Sequence, residues 1–140
     1  MTPRTLATVA AITSLIFGTV GLVLPQVIGT AFGMTFDPTA TALVRLASSS
    51  YLGYAVLCWL ARGLVDPAAW RAVAGANFVS WVLGAAVLSA GITSGLGDSR
   101  GWAFVAMQAG FSLAWALTYV RAPTSSPSHG RSGEGSETMR

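Results

Sequence analysis

Charge is scarce in this chain. Only 9% of its 140 residues are charged, against 53% hydrophobic, whereas a soluble domain carries about 25% charged residues to keep its surface in water. A surface so poor in charge needs another solvent, and lipid fits, in keeping with a mean hydropathy of +0.61. Lysine is absent and all eight basic residues are arginine, a usage that points to a high-GC bacterial source. The net charge of +3 is too small and too dispersed for the basic patch that nucleic acid requires, so no nucleic-acid partner is expected. A pI near 9.8 fits arginines that flank membrane spans and face anionic headgroups.

Chemistry-bearing residues are equally sparse. The single cysteine, Cys58, cannot form an internal disulfide, and no CxxC pair offers redox or zinc chemistry. Cys58 sits in an apolar run and reads as a packing thiol. The single histidine, His129, lies near the C-terminus, which excludes haem ligation or zinc catalysis from helix positions. No Asp, Glu, His or Lys lies deep in any apolar stretch, where proton-coupled transporters place a titratable group. Small multidrug exporters share this length and helix count, but they rely on a membrane-embedded glutamate in the first helix, and the apolar run of helix 1 is uncharged here. No phosphate-binding glycine loop is present; Gly95 and Gly97 read as a flexible connection. Neither an enzyme, a metal site nor a cofactor is expected.

What remains is a membrane topology. No charged residue falls between Arg4 and Asp37, between Arg71 and Asp98, or between Arg100 and Arg121, and each gap holds a helix of about 20 residues, enough to span a bilayer. A fourth apolar run, 46–61, becomes a full span if Arg45 lies inside its outer end and snorkels. Thr2-Pro3, Asp37-Pro38 and Asp66-Pro67 each set a capping side chain before a proline at the first helical position, and Asp98-Ser99 offers a fourth cap. Pro25, Gly63, Gly91 and Pro123 mark the stops. These signals predict an all-α, four-helix transmembrane bundle, with helices near 3–24, 38–62, 67–90 and 99–122 forming one domain over 1–122. The capping role also accounts for Asp37, Asp66 and Asp98 without assigning them to catalysis or ion binding.

Between the first two spans, Val27, Ile28, Ala31 and Phe32 recur at helical spacing, which predicts a short interfacial segment over 25–36. The N-terminus has some features of a signal peptide, including Gly29-Thr30-Ala31 as a cleavage-like site, but its apolar run 6–24 exceeds the usual 7–15-residue core, and a retained span is expected. Six arginines (Arg4, Arg62, Arg71, Arg121, Arg131 and Arg140) fall on one side and two (Arg45 and Arg100) on the other, so both termini are expected in the cytoplasm and the protein in the cell membrane. Trp59, Trp70 and Tyr119 then belong to the inner interface and Trp102 to the outer one. The segment 123–140 is Ser-, Gly- and charge-rich and is expected to be a disordered cytoplasmic tail.

Small residues recur every four positions: Ser49 and Gly53, then Ala76, Ser80 and Gly84, then Ala106, Gly110 and Ala114. In lipid such residues let helices approach closely, either within one bundle or across a homo-oligomer. Three strongly polar residues fall within the spans: Arg45, Asn77 and Gln108. An intramembrane ionisable group is a functional hypothesis by default, so these form the candidate polar cluster. Similar depth, counted in residues, suggests that Arg45 is held by Gln108 or by a bound anion; the simpler alternatives are snorkelling, or pairing with Asp37.

The stretch Leu43-Val44-Arg45-Leu46 through Trp59-Leu60-Ala61-Arg62, with Arg71 in the next helix, resembles the "RLLG…L…G…WLAR" second helix of small four-helix bacterial membrane proteins, some of them grouped with DoxX-like proteins. The likeness covers about 30 residues, with Ser48 where the pattern has glycine. Since one DoxX relative is a membrane subunit of a quinone-linked sulfur oxidoreductase, the resemblance implies a membrane accessory subunit, although no quinone-site residue carries over. Two functions are therefore expected in competition. One is a noncatalytic protein that associates with a membrane partner or with itself. The other is a small transporter or ligand carrier built on Arg45, Asn77 and Gln108.

Overall fold

Thr2, Asp37 and Asp66 each precede a proline, and each opens a helix. The Thr2 hydroxyl accepts from the Thr5 N–H at 3.1 Å, Asp37 from the Ala40 N–H at 2.7 Å, and Asp66 from the N–H groups of Ala68 and Ala69 at 3.0 and 3.3 Å. Each cap satisfies backbone donors that have no partner inside the helix. The computed structural model describes residues 2–121; the segment 123–140, expected to be disordered, and His129 within it lie outside the described residues.

The elements are α1 (Pro3–Val23), α2 (Pro25–Ala31), α3 (Pro38–Ala61), α4 (Pro67–Thr93) and α5 (Gly101–Arg121). All are helices, and α1, α3, α4 and α5 are long and apolar enough to cross a membrane. The short α2 occupies the connection expected to carry an interfacial segment. Two boundaries differ from the sequence reading by more than one residue. α4 runs past Gly91 to Thr93, because Gly91 stays helical and the chain turns only at Gly95, with φ of +86°. α5 starts later than 99 because Asp98 does not cap it through a helical N–H. Its carboxylate instead accepts from the Arg100 N–H at 2.9 Å and pairs with the Arg100 guanidinium at 2.7 Å. The guanidinium bond, followed by the backbone N–H bond, holds the Asp98 carboxyl below its ordinary pKa.

Successive spans run antiparallel. Gly18 lies against Leu52 and Gly21 against Ser48; Gly75 lies against Tyr119, Gly84 against Gln108 and Gly101 against Ile92. Arg4, Arg62, Arg71 and Arg121 therefore share one end of the bundle, and Arg45 and Arg100 lie toward the other. Backbones approach closely within two pairs, α1 with α3 and α4 with α5. In the first pair the approach depends on a face of α1 made of Ala7, Ala10, Ala11, Ser14, Gly18 and Gly21, all buried. This differs from the sequence reading: Ser49, Gly53, Ala76, Ala106 and Gly110 are exposed on the outside of the bundle, so the small residues that bring α3 and α1 together belong largely to α1.

Between the pairs lies a layer of rings. Trp81 stacks on Phe111 with centroids 4.5 Å apart, and Tyr54 meets Trp81 edge-on at 6.2 Å. Phe17 meets Phe104 at 5.7 Å, and Phe32 stacks on Phe104 at 4.0 Å. Tyr54 and Trp81 meet between α3 and α4, Phe17 and Phe104 meet between α1 and α5, and Trp115, fully buried, fills the interior. At the Arg45 and Arg100 end, the Asp98 N–H donates to the Phe32 carbonyl at 3.1 Å, tying the α4–α5 loop to the end of α2. Gly97, at φ +78°, presses against the same carbonyl, where a side chain would collide.

Candidate functional site

The three polar residues singled out from sequence do not form one cluster. Asn77, 2% exposed, lies in the core; its amide donates to the Val73 carbonyl at 2.7 Å and accepts from the Cys58 thiol at 3.8 Å. It joins α4 to α3, and the fully buried Cys58 is the packing thiol its surroundings suggested. Arg45 is exposed. It bonds neither Gln108 nor Asp37 in the structure, and Asp37 is engaged in capping α3. Pairing between Arg45 and Gln108 is thus not formed: depth along the membrane matched, but the two side chains leave their helices in different directions.

Gln108 lies elsewhere, in a cleft of about 460 Å³ on the α3–α4 side of the bundle. α3 contributes Ala47, Ser50, Tyr51 and Tyr54; α4 contributes Ser80, Trp81 and Gly84; Gln108 comes from α5. The cleft follows from the packing. The Tyr54–Trp81 contact, reinforced by the Trp81 indole N–H donating to the Tyr54 hydroxyl at 2.9 Å, spaces α3 from α4. Gly84 lacks the side chain that would otherwise occupy the place of the Gln108 amide.

The Ser50, Tyr51 and Ser80 hydroxyls of the cleft wall, like the buried Ser14 hydroxyl of α1, stay unpaired among the described residues. A serine on a transmembrane helix ordinarily closes its hydroxyl on a carbonyl one turn back. Ser48, Ser89 and Ser112 do so onto Val44, Ala85 and Gln108, and Ser49 onto Leu46, at 2.7–2.9 Å. Ser50 and Ser80, the two in the cleft, make no such bond among the described residues. Neither does the Tyr51 hydroxyl or the Gln108 side-chain amide. Four uncharged hydrogen-bonding groups from three helices thus converge on one opening with their capacity unused. Sequence reasoning found Gln108 and missed Ser50, Tyr51 and Ser80, because nothing in a run such as Ser48-Ser49-Ser50 distinguishes a hydroxyl that bonds backward from one that does not.

The remaining polar aromatic contacts lie at the arginine-rich end. The Arg62 guanidinium covers the Trp59 ring at 3.3 Å, and Arg71 sits 4.7 Å from the Tyr119 centroid, arrangements suited to a headgroup zone. Trp70 departs from the expected interfacial role: it turns inward and its indole N–H donates to the Leu64 carbonyl at 3.0 Å, closing the α3–α4 loop. No group of three or more metal-ligating side chains is present among the described residues. Comparison of the chain with protein-family models, curated proteins and solved structures gives no match.

Proposed function

We propose that this chain is a noncatalytic membrane protein that takes an amphipathic molecule from the lipid phase into the cleft between α3 and α4. The observation that carries this reading is the convergence of Ser50, Tyr51, Ser80 and Gln108, none with a hydrogen-bond partner among the described residues. Within the hydrocarbon region an unpaired polar group is unfavourable by several kcal/mol on the scale of transfer into hydrocarbon, so four of them in one opening favour a guest that supplies the missing bonds. The wall has no titratable carboxylate, histidine or lysine, which supports binding rather than proton-coupled pumping. Lipid extracted with the chain after purification from its own membranes should contain one enriched molecule, and Ser80→Ala with Gln108→Leu should deplete it at least severalfold. An identical lipid profile for the wild-type and doubly substituted proteins would end this reading.

The arginine distribution supports a cell-membrane protein with the Arg4, Arg62, Arg71 and Arg121 end in the cytoplasm. Reporter fusions in the α3–α4 loop and after Arg121 should both give cytoplasmic signals. A periplasmic signal from either would reverse the orientation.

A second reading, an accessory subunit bound to a membrane partner or to another copy, is favoured by the outward faces of α3 and α5. Gly53 and Gly110 each look onto open space, and helix 2 of the DoxX-like proteins resembles α3. Under this reading, Gly110→Leu should release a partner subunit that co-purifies in mild detergent while leaving the isolated chain folded. Retention of that subunit by the variant would remove α5 as the contact face.

A further inference from the structure

We infer that the guest of the α3–α4 cleft is an uncharged lipid with a small hydroxyl-bearing head, of the diacylglycerol type, its tail lying in an apolar groove that continues along the same seam. This deepens the binding role proposed above and rests on it. Three observations lead to it: the depth of the cleft, the chemistry of its wall, and the groove beside it.

Depth comes from residue counts along the helices. Gln108 is seven positions into α5 and Ser80 thirteen before the end of α4, so the polar wall lies roughly 10–20 Å below that end of the bundle at 1.5 Å per residue. The hydrocarbon core is about 30 Å thick, which puts these groups well below the headgroup zone. A phosphate drawn to that depth would leave water and its counterions. Nothing in the cleft wall compensates it, since all eight lining residues are uncharged and Arg45 is not among them. A hydroxyl and ester carbonyls incur a much smaller desolvation penalty there, and less still when hydrogen-bonded.

The wall also has the right mixture of capacities. Three hydroxyls (Ser50, Tyr51 and Ser80) can each donate or accept, and the Gln108 amide does both. A glyceride offers one hydroxyl that donates and accepts, together with ester oxygens that accept. A pure hydrocarbon would leave the wall unpaired, and an anion would find donors without charge.

The groove supplies the tail site. It occupies about 440 Å³ and is lined by Gly53, Val56, Leu57, Leu60 and Leu64 on one side and Val73 on the other. Both openings are bordered by α3 and α4, the cleft through Tyr54 and Ser80 and the groove through Leu57 and Val73. From Gly53 to Ala61, the end of α3, the groove runs about 12 Å, with Leu64 beyond it, approaching half of the roughly 30 Å hydrocarbon thickness and thus the reach of one acyl chain. No atom lies near the place of a Gly53 side chain, so the groove is open where the tail would enter.

Binding can be measured by native mass spectrometry of the intact chain in detergent, with dioleoylglycerol and dioleoylphosphatidylglycerol as separate probes. Dioleoylglycerol should bind one per chain, and dioleoylphosphatidylglycerol about tenfold or more weakly, equivalent to 1.4 kcal/mol or more. Gln108→Leu and Gly53→Leu should each weaken dioleoylglycerol severalfold. Gly53→Leu projects into open space, so its melting temperature without lipid should stay at the wild-type value and separate lost binding from lost folding. Phosphatidylglycerol binding as tightly as the glyceride, and weakened by Gln108→Leu, would overturn the uncharged class and keep the cleft. Binding of both probes unchanged by either substitution would overturn the cleft itself.

Discussion

Trp115→Ala should lower the stability of the folded bundle by about 3–5 kcal/mol, the range for truncating a large buried aromatic side chain. Trp115 is fully buried, among the core residues of the bundle interior. Removing its ring opens a void among helices that are held together in lipid mainly by packing contacts rather than by exclusion of water. The indole N–H contributes nothing to this expectation, because it has no hydrogen-bond acceptor among the described residues. Trp115→Phe should therefore be far milder, since it keeps most of the ring and removes a buried donor that bonds nothing. Denaturant unfolding in micelles distinguishes the two. If Phe were as damaging as Ala, the indole nitrogen would have a partner and the packing account of this position would be wrong.

Gly21→Leu should have the next largest effect, a loss of about 3 kcal/mol at the upper end of the overpacking range. The first atom of a side chain at Gly21 already collides with the Ser48 hydroxyl, and Ser48 is itself buried and bonded to Val44 at 2.7 Å. At Gly18 the obstruction includes the Leu52 backbone nitrogen, 3.1 Å from where a side chain would begin, so rotation of neighbouring side chains cannot make room. A larger residue at either position must push α1 away from α3. Gly53→Leu on the opposite side of α3 meets nothing and serves as the control. Equal unfolding midpoints for Gly21→Leu and Gly53→Leu would show that close approach of α1 and α3 is not what stabilises this pair.

These contrasts mark which features the sequence makes legible. Thr2, Asp37 and Asp66 announce their helices because a cap acts within one turn and needs no tertiary partner. Asp98 resembles them in sequence, yet Arg100 two residues on captures its carboxylate, and α5 begins later. Gly91 reads as a stop but remains helical, and the positive φ that follows α4 comes only at Gly95. Packing faces are harder to read, since Ser49 and Gly53 have the spacing of an interface and still point outward. Which side of α3 turns inward depends on where α1 places Gly18 and Gly21, a property of the pair and not of either segment. The same limit governs the polar residues. Counting positions puts Arg45 and Gln108 at similar depth, but direction around the helix axis separates them. Gln108 instead joins Ser50, Tyr51 and Ser80, hydroxyls whose unused bonding appears only once the helices are assembled.

The central claim is that this opening between α3 and α4 receives a lipid-phase molecule through Ser50, Tyr51, Ser80 and Gln108. The most direct test is an experimental structure of the chain in a native-lipid nanodisc, at a resolution that separates hydrogen-bonded atoms. The account predicts elongated non-protein density in the cleft, its polar end within hydrogen-bonding distance of the Gln108 amide and Ser80 hydroxyl and its tail beside Gly53. An α3–α4 seam closed without a guest, with Ser50 and Ser80 bonded to carbonyls of their own helices and Gln108 bonded across to α4, would contradict it.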